Sequence, residues 1–508
     1  MASHDFSALI NLNKPPAGIF MRSMPSKLLK LGTGVGVTVV LVLLAAAAAT
    51  WLKPRQEVDT VSDQQKIART LEIIRTSTPL NHKVLKVLFY GQSITRSGWH
   101  NAVVAHWHEK YPNTVFVVEN RALGGFASQL LVRTTEQDIA AFYPDLIIFH
   151  VYGDHRAYER ILRMFRSLTA ADVILQTDHG EELPDPPCAE GLQLSPHRKP
   201  GCAGVLWVHQ RLWHDEMSYH KIPAFAKKYG MAVEPQREWW RDYLLEKQLD
   251  AGALLMSDGL HPNEKGNELI AEFFNKYFDS LVEHWNGQTE QNVISIRPDA
   301  AKRSAGLETV SFDGSRLEML SDHPLAVWPS ETIDERSPKD FDGCYQVSRS
   351  SPLASVPDWP ALRRITLLHD HTAEDWIATI TKITPDQKLA DFTVRASTTG
   401  DEGGGNSARQ YVSKSGRLSI DGDDWMFESG YDLKHVPLQV PTEVHWSVQY
   451  ICSGKPEVID RGDGMTQYRY VLGAGLTNGK HTATLAFPPS GRADAVEFRA
   501  YKPPLQEN

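Results

Sequence analysis

The feature that most constrains the fold of this chain is a regular alternation of strand-like and helix-like segments between residues 84 and 284. Short apolar runs alternate there with stretches in which apolar residues recur at helical spacing. The runs that predict strands are VLKVLFYG, TVFVVEN, PDLIIFHVYG, ADVILQTD and MAVEP. Strands that alternate with helices predict an α/β fold, in which a parallel sheet carries helices on both faces.

The segment after residue 290 has a different pattern. Short β-rich runs such as DFTVRAST, EVHWSVQYI and HTATLAF are separated by turns of Gly, Asp, Pro and Asn, which predicts an all-β sandwich or jelly-roll domain. A chain of 508 residues is long enough for two or three folded units. The predicted parts are a basic tail (1–31), a transmembrane segment (32–52), a stalk (53–80), the α/β domain (81–290) and the β-sandwich domain (291–508).

Residues 32–52 read GTGVGVTVVLVLLAAAAATWL and contain no charged side chain. About 20 such residues suffice to cross a bilayer as a helix, and the basic tail before them favours an inside N-terminus. We therefore expect a retained signal anchor, with the rest of the chain outside the cytoplasm. The alternatives are a cleaved signal peptide that ends in the alanine run, which would give a secreted protein, and a buried helix of a soluble core.

The four cysteines are Cys188, Cys202, Cys344 and Cys452, and none of them forms a CxxC pair. This spacing argues against a thiol redox motif or a zinc knuckle. Two separate disulfides, Cys188–Cys202 and Cys344–Cys452, would fit an exported protein, whereas four free thiols would fit a reducing compartment.

The net charge of the chain and the spacing of its histidines bear on whether it binds nucleic acid or a metal ion. The formal net charge is -9, so the chain gains nothing from a polyphosphate surface, and we expect no nucleic acid partner. The histidines that cluster at His209, His214 and His220 do not match a recognised zinc spacing. We expect neither a metal nor a cofactor.

Ser93 is the first candidate for chemistry. It lies in GQSIT (91–95), where a predicted buried strand meets a helix. In a parallel sheet the carboxyl ends of the strands form the ligand crevice, so this serine would be exposed there. Its hydroxyl needs a base to become a nucleophile. The alternative is a serine that caps the helix.

Asp258 and His261 are the second candidates, in SDGLHPNEKGNELIAEFF (257–274) just before a helix. In so compact a turn, the Asp258 carboxylate can reach the His261 imidazole, fix its tautomer and stabilise the imidazolium. The other ring nitrogen would then face a serine. The alternative is a turn that only leads into a helix cap.

The serine at a strand end, the intervening α/β units and the final D-x-x-H-P block together resemble the SGNH (GDSL-like) hydrolase superfamily over about residues 84–285. The resemblance implies a flavodoxin-like sheet and a serine esterase with Ser93, His261 and Asp258 as its catalytic residues. The family's serine block usually reads GDS. Here Gln92 replaces the aspartate, which is closer to the GQS form of several carbohydrate O-acetylesterase branches.

The resemblance also implies an oxyanion hole. In the second block, ENRALGGFAS (119–128), Gly125 is the predicted equivalent of the family's glycine, with Gly124 as the fallback. The Ser93 N–H would be another donor. The third block, usually G-x-N-D, departs from the family: His155 or Asp154 of YGDHR occupies the asparagine position. A neutral His155 could donate a hydrogen bond to the oxyanion, whereas an ionised Asp154 could not. The alternative is that these residues only begin a helix, with Asp154 as its cap.

These features predict hydrolysis of an ester, with an O-acetylated carbohydrate as the expected substrate. The same triad could instead transfer the acyl group to a glycan hydroxyl, so a membrane-tethered acyltransferase is the alternative. A third hypothesis is a non-catalytic glycan-binding protein, whose β domain would be the binding module.

Overall fold

The computed structural model describes residues 60–179, 214–287, 292–297, 306–369, 371–487 and 497–505. No helix within these ranges is long and apolar enough to cross a membrane. The predicted signal anchor at 32–52 lies outside them, as do Cys188 and Cys202, so both predictions stay predictions.

A five-stranded parallel sheet forms the first part of the described chain. Its strands are β1 (Lys83–Gly91), β2 (Thr114–Asn120), β3 (Leu146–His150), β4 (Asp172–Gln176) and β5 (Ala232–Glu234). Their order in the sheet is β2-β1-β3-β4-β5, and every pair is parallel. This is the doubly wound order of a flavodoxin-like sheet, and it confirms the predicted α/β fold.

Helices cover both faces of the sheet. Within the described residues they are α1 (Thr60–Lys66), α2 (Ala68–Thr76), α3 (Ser93–Arg96), α4 (Trp99–Lys110), α5 (Ser128–Leu131), α6 (Thr135–Phe142), α7 (His155–Leu168), α8 (Ile222–Tyr229), α9 (Gln236–Lys247) and α10 (Glu264–Glu283). A π-helical turn, Met217–Lys221, precedes α8, and a 3-10 turn, Ala251–Ala253, follows α9.

The alternation of side chains along β1 explains why two layers of helices form. Leu88 and Tyr90 pack into an apolar cluster with α6 and α7, whereas Val87 and Phe89 pack into a second cluster with α4 and α10. Successive side chains of a strand point to opposite faces, so a strand that is apolar at nearly every position must be covered on both.

The chain after α10 folds into antiparallel sheets, as predicted, but into two sandwiches rather than one. We call them the outer sandwich, whose strands lie between residues 293 and 333 and between 457 and 501, and the inserted sandwich, whose strands lie between 345 and 450. The strands of the outer sandwich are β6 (Val293–Ile296), β7 (Leu307–Gly314), β8 (Arg316–Ser321), β9 (Ser330–Ile333), β20 (Glu457–Asp460), β21 (Thr466–Gly473), β22 (Gly479–Ala486) and β23 (Glu497–Tyr501). They form two sheets, with the orders β20-β21-β8-β23-β6 and β7-β22-β9.

In sequence, the inserted sandwich lies wholly between the two halves of the outer sandwich. Its strands are β10 (Tyr345–Val347), β13 (Thr366–Leu367), β14 (Glu374–Ile383), β15 (Ala390–Ala396), β16 (Gly400–Asn406), β17 (Tyr411–Val412), β18 (Leu418–Ile420) and β19 (Thr442–Tyr450). These strands form two sheets, with the orders β10-β19-β14-β15-β16 and β13-β18-β17. The inserted sandwich also carries the hairpin β11 (Pro352–Leu353) and β12 (Val356–Pro360), and the helix α11 (Phe427–Lys434).

A disulfide closes the base of this insertion. Cys344 precedes β10 and Cys452 follows β19, and the two are bonded with their Cα atoms 5.4 Å apart. The predicted pairing of these two cysteines is therefore confirmed. The bond joins the chain where it leaves the outer sandwich to the chain where it returns.

The two sandwiches dock at opposite ends of the parallel strands. At the amino ends, Lys86 of β1 forms an ion pair with Glu457 of the outer sandwich, with 2.7 Å between Nζ and Oε1. Near the carboxyl ends, the rings of Phe126 and of Trp359 from β12 of the inserted sandwich meet edge to face, with centroids 5.3 Å apart. The apolar core of the inserted sandwich is continuous with that of the helices it covers.

Candidate active site

Ser93 is the first residue of α3 and follows β1 by two positions. Its side chain is half-buried. Gly91 ends β1 with φ +155°, and a Cβ atom there would lie 1.9 Å from the carbonyl oxygen of His150 in β3. Only glycine permits so close an approach. The serine therefore stands at the carboxyl end of β1 beside β3, where doubly wound sheets form their ligand crevice.

The Asp258–His261 turn has the geometry that the sequence predicted. Oδ2 of Asp258 lies 2.8 Å from Nδ1 of His261, so Nδ1–H donates to the carboxylate and Nε2 is left on the other side of the ring. The backbone N–H groups of Leu260 and His261 both donate to Oδ1, each at 3.0 Å. The helix cap is a different residue: Asn263, whose side chain accepts from the Gly266 N–H.

The electrostatics of this turn favour an ionised Asp258. Partial burial alone raises the pKa of its carboxyl, but the backbone N–H groups of His261 and Leu260 and the His261 ring outweigh that effect. The pKa of Asp258 therefore lies below its ordinary value. An ionised carboxylate in this position can hold the His261 tautomer and stabilise a positive imidazolium.

Hydrogen bonds connect the Asp258–His261 turn to the edge of the sheet that carries Ser93. Ser97, just after α3, donates to Oδ1 of Asn267 at 2.5 Å, and Nδ2 of Asn267 donates to the Pro262 carbonyl at 3.2 Å. From the end of β4, the His179 ring donates to the Leu260 carbonyl at 2.8 Å. The serine segment and the histidine segment are thus joined through a single asparagine.

The Gly124–Gly125 turn lies against the serine segment. The Leu123 N–H donates to the Gly91 carbonyl at 3.0 Å. A Cβ atom on Gly124 would lie 4.0 Å from the Ser93 Cβ atom. Gly125 has φ +80°, a left-handed conformation that glycine adopts without strain. Among the described residues we find no acceptor for the Gly125 N–H. Both glycines of the predicted oxyanion block thus belong to a turn that lies beside Ser93.

In the third block, YGDHR (152–156), the structure gives Asp154 and His155 different surroundings. Asp154 caps α7, because its carboxylate accepts from the Ala157 N–H at 2.8 Å, which is the capping role that the sequence left open. His155 is the first residue of the helix. Burial, and next the positive charge of Lys221, lower the pKa of His155. A lowered pKa favours the neutral ring, which is the form in which His155 was predicted to donate to an oxyanion.

A buried histidine–aspartate cluster was missed by the sequence analysis. At the carboxyl end of the sheet, Asp178 accepts from Nε2 of His150 at 3.1 Å and from Nδ1 of His214 at 2.6 Å. Burial raises the pKa of the Asp178 carboxyl, but the hydrogen bonds from the histidines outweigh it and hold the pKa well below its usual range. The available signal was a polar residue near the end of each of two strand-like runs, His150 in PDLIIFHVYG and Asp178 in ADVILQTD.

Two polar groups beside Ser93 are buried without a hydrogen-bond partner among the described residues. Gln92 is 1% exposed and neither atom of its amide is bonded; Nδ1 of His150 is likewise unbonded. The described part of the chain has no group of three His, Cys, Asp or Glu side chains arranged to hold a metal ion.

Comparison with known proteins assigns no family. No family model matches the chain, and no curated protein matches it. Solved structures with a similar arrangement include an acetylxylan esterase from Geobacillus stearothermophilus, with 18% identity and a TM-score of 0.29, covering 38% of this chain and 93% of that one.

Two further structures extend the comparison. A two-domain esterase active on acetylated mannans has 12% identity and a TM-score of 0.33, covering 88% of this chain and 99% of that one. An α/β hydrolase enzyme from the metagenome of Lake Arreo, Spain, has 16% identity and a TM-score of 0.29, covering 40% and 99%. Likenesses this weak carry no argument about activity, which therefore depends on the site itself.

Proposed function

We propose that this protein is a serine esterase in which Ser93 is the nucleophile, His261 the general base and Asp258 the residue that orients His261. The observation that carries the proposal is the 2.8 Å contact between Asp258 Oδ2 and His261 Nδ1, in a turn that Asn267 connects by hydrogen bonds to Ser97 in the serine segment. Nothing in that contact is needed to cap the following helix, since Asn263 does so.

The proposed reaction has two steps. Nε2 of His261 takes the proton of the Ser93 hydroxyl while Oγ bonds to the ester carbonyl carbon. The tetrahedral intermediate collapses, the alcohol leaves with the proton from His261, and an acyl-enzyme remains. Water then attacks the acyl carbon and gives a proton to His261. As the bond from the acyl carbon to Oγ breaks, His261 returns that proton to Oγ, the acid is released, and the Ser93 hydroxyl is restored.

The negative oxygen of each intermediate needs hydrogen-bond donors that are already in place. The Ser93 N–H is one candidate, because the first N–H groups of a helix have no partner within the helix. The Gly125 N–H is the second, and a neutral His155 ring is the third. An ionised Asp154 has no proton to donate, and its carboxylate is engaged by the Ala157 N–H.

For the substrate we propose an O-acetyl ester of a carbohydrate. The support is the GQS form of the serine block, Gly91 to Ser93, which resembles carbohydrate O-acetylesterases.

We also propose that residues 32–52 anchor the protein in a membrane with the esterase outside the cytoplasm. Alkaline carbonate extraction of membranes tests the anchor: the full chain should stay in the pellet, and release into the supernatant would contradict it.

The test of the proposed function is acid release by the full-length chain, purified in detergent, from p-nitrophenyl acetate and from acetylated xylan and mannan. Ser93→Ala and His261→Ala should each lower kcat/KM by about 10³-fold or more, with circular dichroism unchanged. A Ser93→Ala variant as active as the parent would contradict the proposal. Added glycan acceptor that suppresses acid release while acylated glycan appears would redirect it to acyl transfer.

A further inference from the structure

The inserted sandwich reaches the predicted oxyanion turn through one tryptophan. Trp359 of β12 is 2% exposed, and its Nε1–H donates to the Gly124 carbonyl oxygen at 2.6 Å. Its ring also packs edge to face on Phe126, just after the glycine pair. This bond joins residues 235 positions apart in the chain, and it connects the inserted sandwich to the α/β part of the protein.

The geometry of a peptide bond gives this contact a consequence for chemistry. The C=O of Gly124 and the N–H of Gly125 belong to one planar trans peptide, in which they point in opposite directions. A donor fixed on the carbonyl side therefore fixes the direction of the N–H on the other side. Two successive glycines have no Cβ to restrict rotation of that plane, so an external bond is needed to hold it.

The same bond also strengthens the N–H as a donor. A hydrogen bond accepted by a peptide carbonyl polarises the peptide unit, and chains of hydrogen bonds reinforce each other in a low-dielectric interior. Trp359 supplies its N–H from a rigid ring that is buried, so little freedom remains to be lost during the reaction. Preorganised donors of this kind are the ones that stabilise an oxyanion most.

We infer that Trp359 is a positioning residue of the esterase, and that the inserted sandwich completes the oxyanion site by holding the Gly124–Gly125 peptide plane. The inference rests on the proposed function. It assigns the sandwich a role in catalysis that does not require it to touch the substrate. The residue acts on the transition state through Gly125, so its loss affects kcat rather than KM.

The test is Trp359→Phe, which keeps a ring against Phe126 but removes the N–H. Loss of one direct oxyanion donor costs about 10²–10³-fold in kcat, so loss of its support should cost about 10–100-fold, with KM within about 2-fold. Binding of phenylboronic acid, whose tetrahedral adduct with Ser93 places an oxygen in the oxyanion site, should weaken by a similar factor.

The matched control is Trp446→Phe. Trp446 is buried in the core of the same sandwich, and within the described residues its indole N–H has no acceptor. This variant should retain kcat within about 2-fold, because it makes the same chemical change without touching the glycine turn. If Trp359→Phe fails to fold, a tryptophan analogue with sulfur in place of the indole N–H at position 359 repeats the test with the ring shape kept.

The outcomes separate the two claims. A Trp359→Phe protein, or the sulfur analogue, with kcat within about 2-fold of the parent overturns the inference, and so does an equal loss in Trp446→Phe. In both cases the parent remains an esterase. A parent that is inactive on every ester, or an active Ser93→Ala variant, overturns the proposed function and this inference with it.

Discussion

The two β-sandwiches meet the same parallel sheet at opposite ends, and they meet different kinds of group there. At the amino ends, the outer sandwich closes over ionised side chains that pair with each other, such as Lys86 with Glu457. At the carboxyl ends, the inserted sandwich also forms an ion pair, between Arg349 and Asp138 at 2.6 Å, but in addition its Trp359 donates to the Gly124 carbonyl in the turn beside Ser93. The inserted sandwich therefore contacts the proposed site, whereas the outer sandwich contacts β1 through a charge pair at the other end of the sheet.

This difference predicts that the two sandwiches affect different properties of the protein, namely its stability and its proposed catalysis. Contacts of the outer sandwich should change the free energy of unfolding and leave the chemistry alone. Contacts of the inserted sandwich near Ser93 should change the chemistry more than the stability. Five predictions, from the largest expected effect to the smallest, test whether the division holds.

The largest effect should come from Asp258→Asn at the carboxyl edge. An asparagine cannot hold the His261 tautomer or stabilise its imidazolium, so kcat should fall by about 10³–10⁴-fold. The Asp258 side chain is 43% exposed, so the midpoint of thermal unfolding should move by only a few degrees. Steady-state kinetics and calorimetry measure the two. A retained kcat would remove Asp258 from the proposed triad.

The counterpart at the amino edge is Asp145→Asn. Asp145 is buried and accepts from the Arg69 side chain at 2.6 Å and from the Lys86 N–H at 3.0 Å. Neutralising it leaves buried positive charge uncompensated, which should lower the free energy of unfolding by about 3 kcal/mol while kcat of the folded protein is unchanged. Urea unfolding measures the first quantity. A large loss of kcat in the folded variant would break the comparison.

The same carboxylate predicts a pH dependence. Burial alone raises the pKa of Asp145, but the charges of Arg69 and Arg469 and the Lys86 N–H outweigh it and lower the pKa. Its contribution to stability is therefore complete above the pKa of the unfolded chain, near 4, and is lost as the pH falls through the lowered pKa of the folded state. The difference in stability between parent and Asp145→Asn should shrink below about pH 4.

A comparable effect on stability is expected from the disulfide at the junction of the two sandwiches. Cys344 and Cys452 close a loop with a sequence separation of 108 residues. Replacing both with alanine should lower the free energy of unfolding by about 2–4 kcal/mol, because the unfolded chain regains the freedom that the bond removes. Tryptophan fluorescence in urea reports the transition. An unchanged midpoint would show that packing alone holds the base of the insertion.

The smallest effect is expected from Asp358→Asn, next to Trp359. Asp358 pairs with Arg96 at 2.5 Å, but their side chains are 55% and 42% exposed. Exposed pairs of this kind contribute about 0–1 kcal/mol and are screened by salt. The variant should keep kcat within about 2-fold, which would locate the catalytic influence of β12 in the buried Trp359 bond. A loss as large as that of Trp359→Phe would contradict this assignment.

The parts of the fold that the sequence predicted are those with local signals. Each strand of the parallel sheet is an apolar run of its own, and the short spacing from Asp258 to His261 allows their contact with little help from the rest of the chain. The Cys344–Cys452 pairing was also predicted and is confirmed. The Ser93 triad itself stays a prediction, supported by the geometry of the turn.

What the sequence could not predict depends on contacts between distant residues. The division into two sandwiches follows from β8 pairing with β21 and β23, which no property of the individual runs reveals. The bond from Trp359 to Gly124 is of the same kind, since one tryptophan in a β-rich run resembles any other core residue. The apolar pattern predicts which residues are buried, but the tertiary fold determines which residues they contact.

The most direct test of the central claim is covalent labelling of the full-length chain with a fluorophosphonate. Intact-mass spectrometry should show one adduct, peptide mapping should locate it on Ser93, and the rate of labelling should fall sharply in His261→Ala because the base that activates the serine is gone. An adduct on another residue, or unchanged esterase activity after Ser93 is fully labelled, would contradict the account.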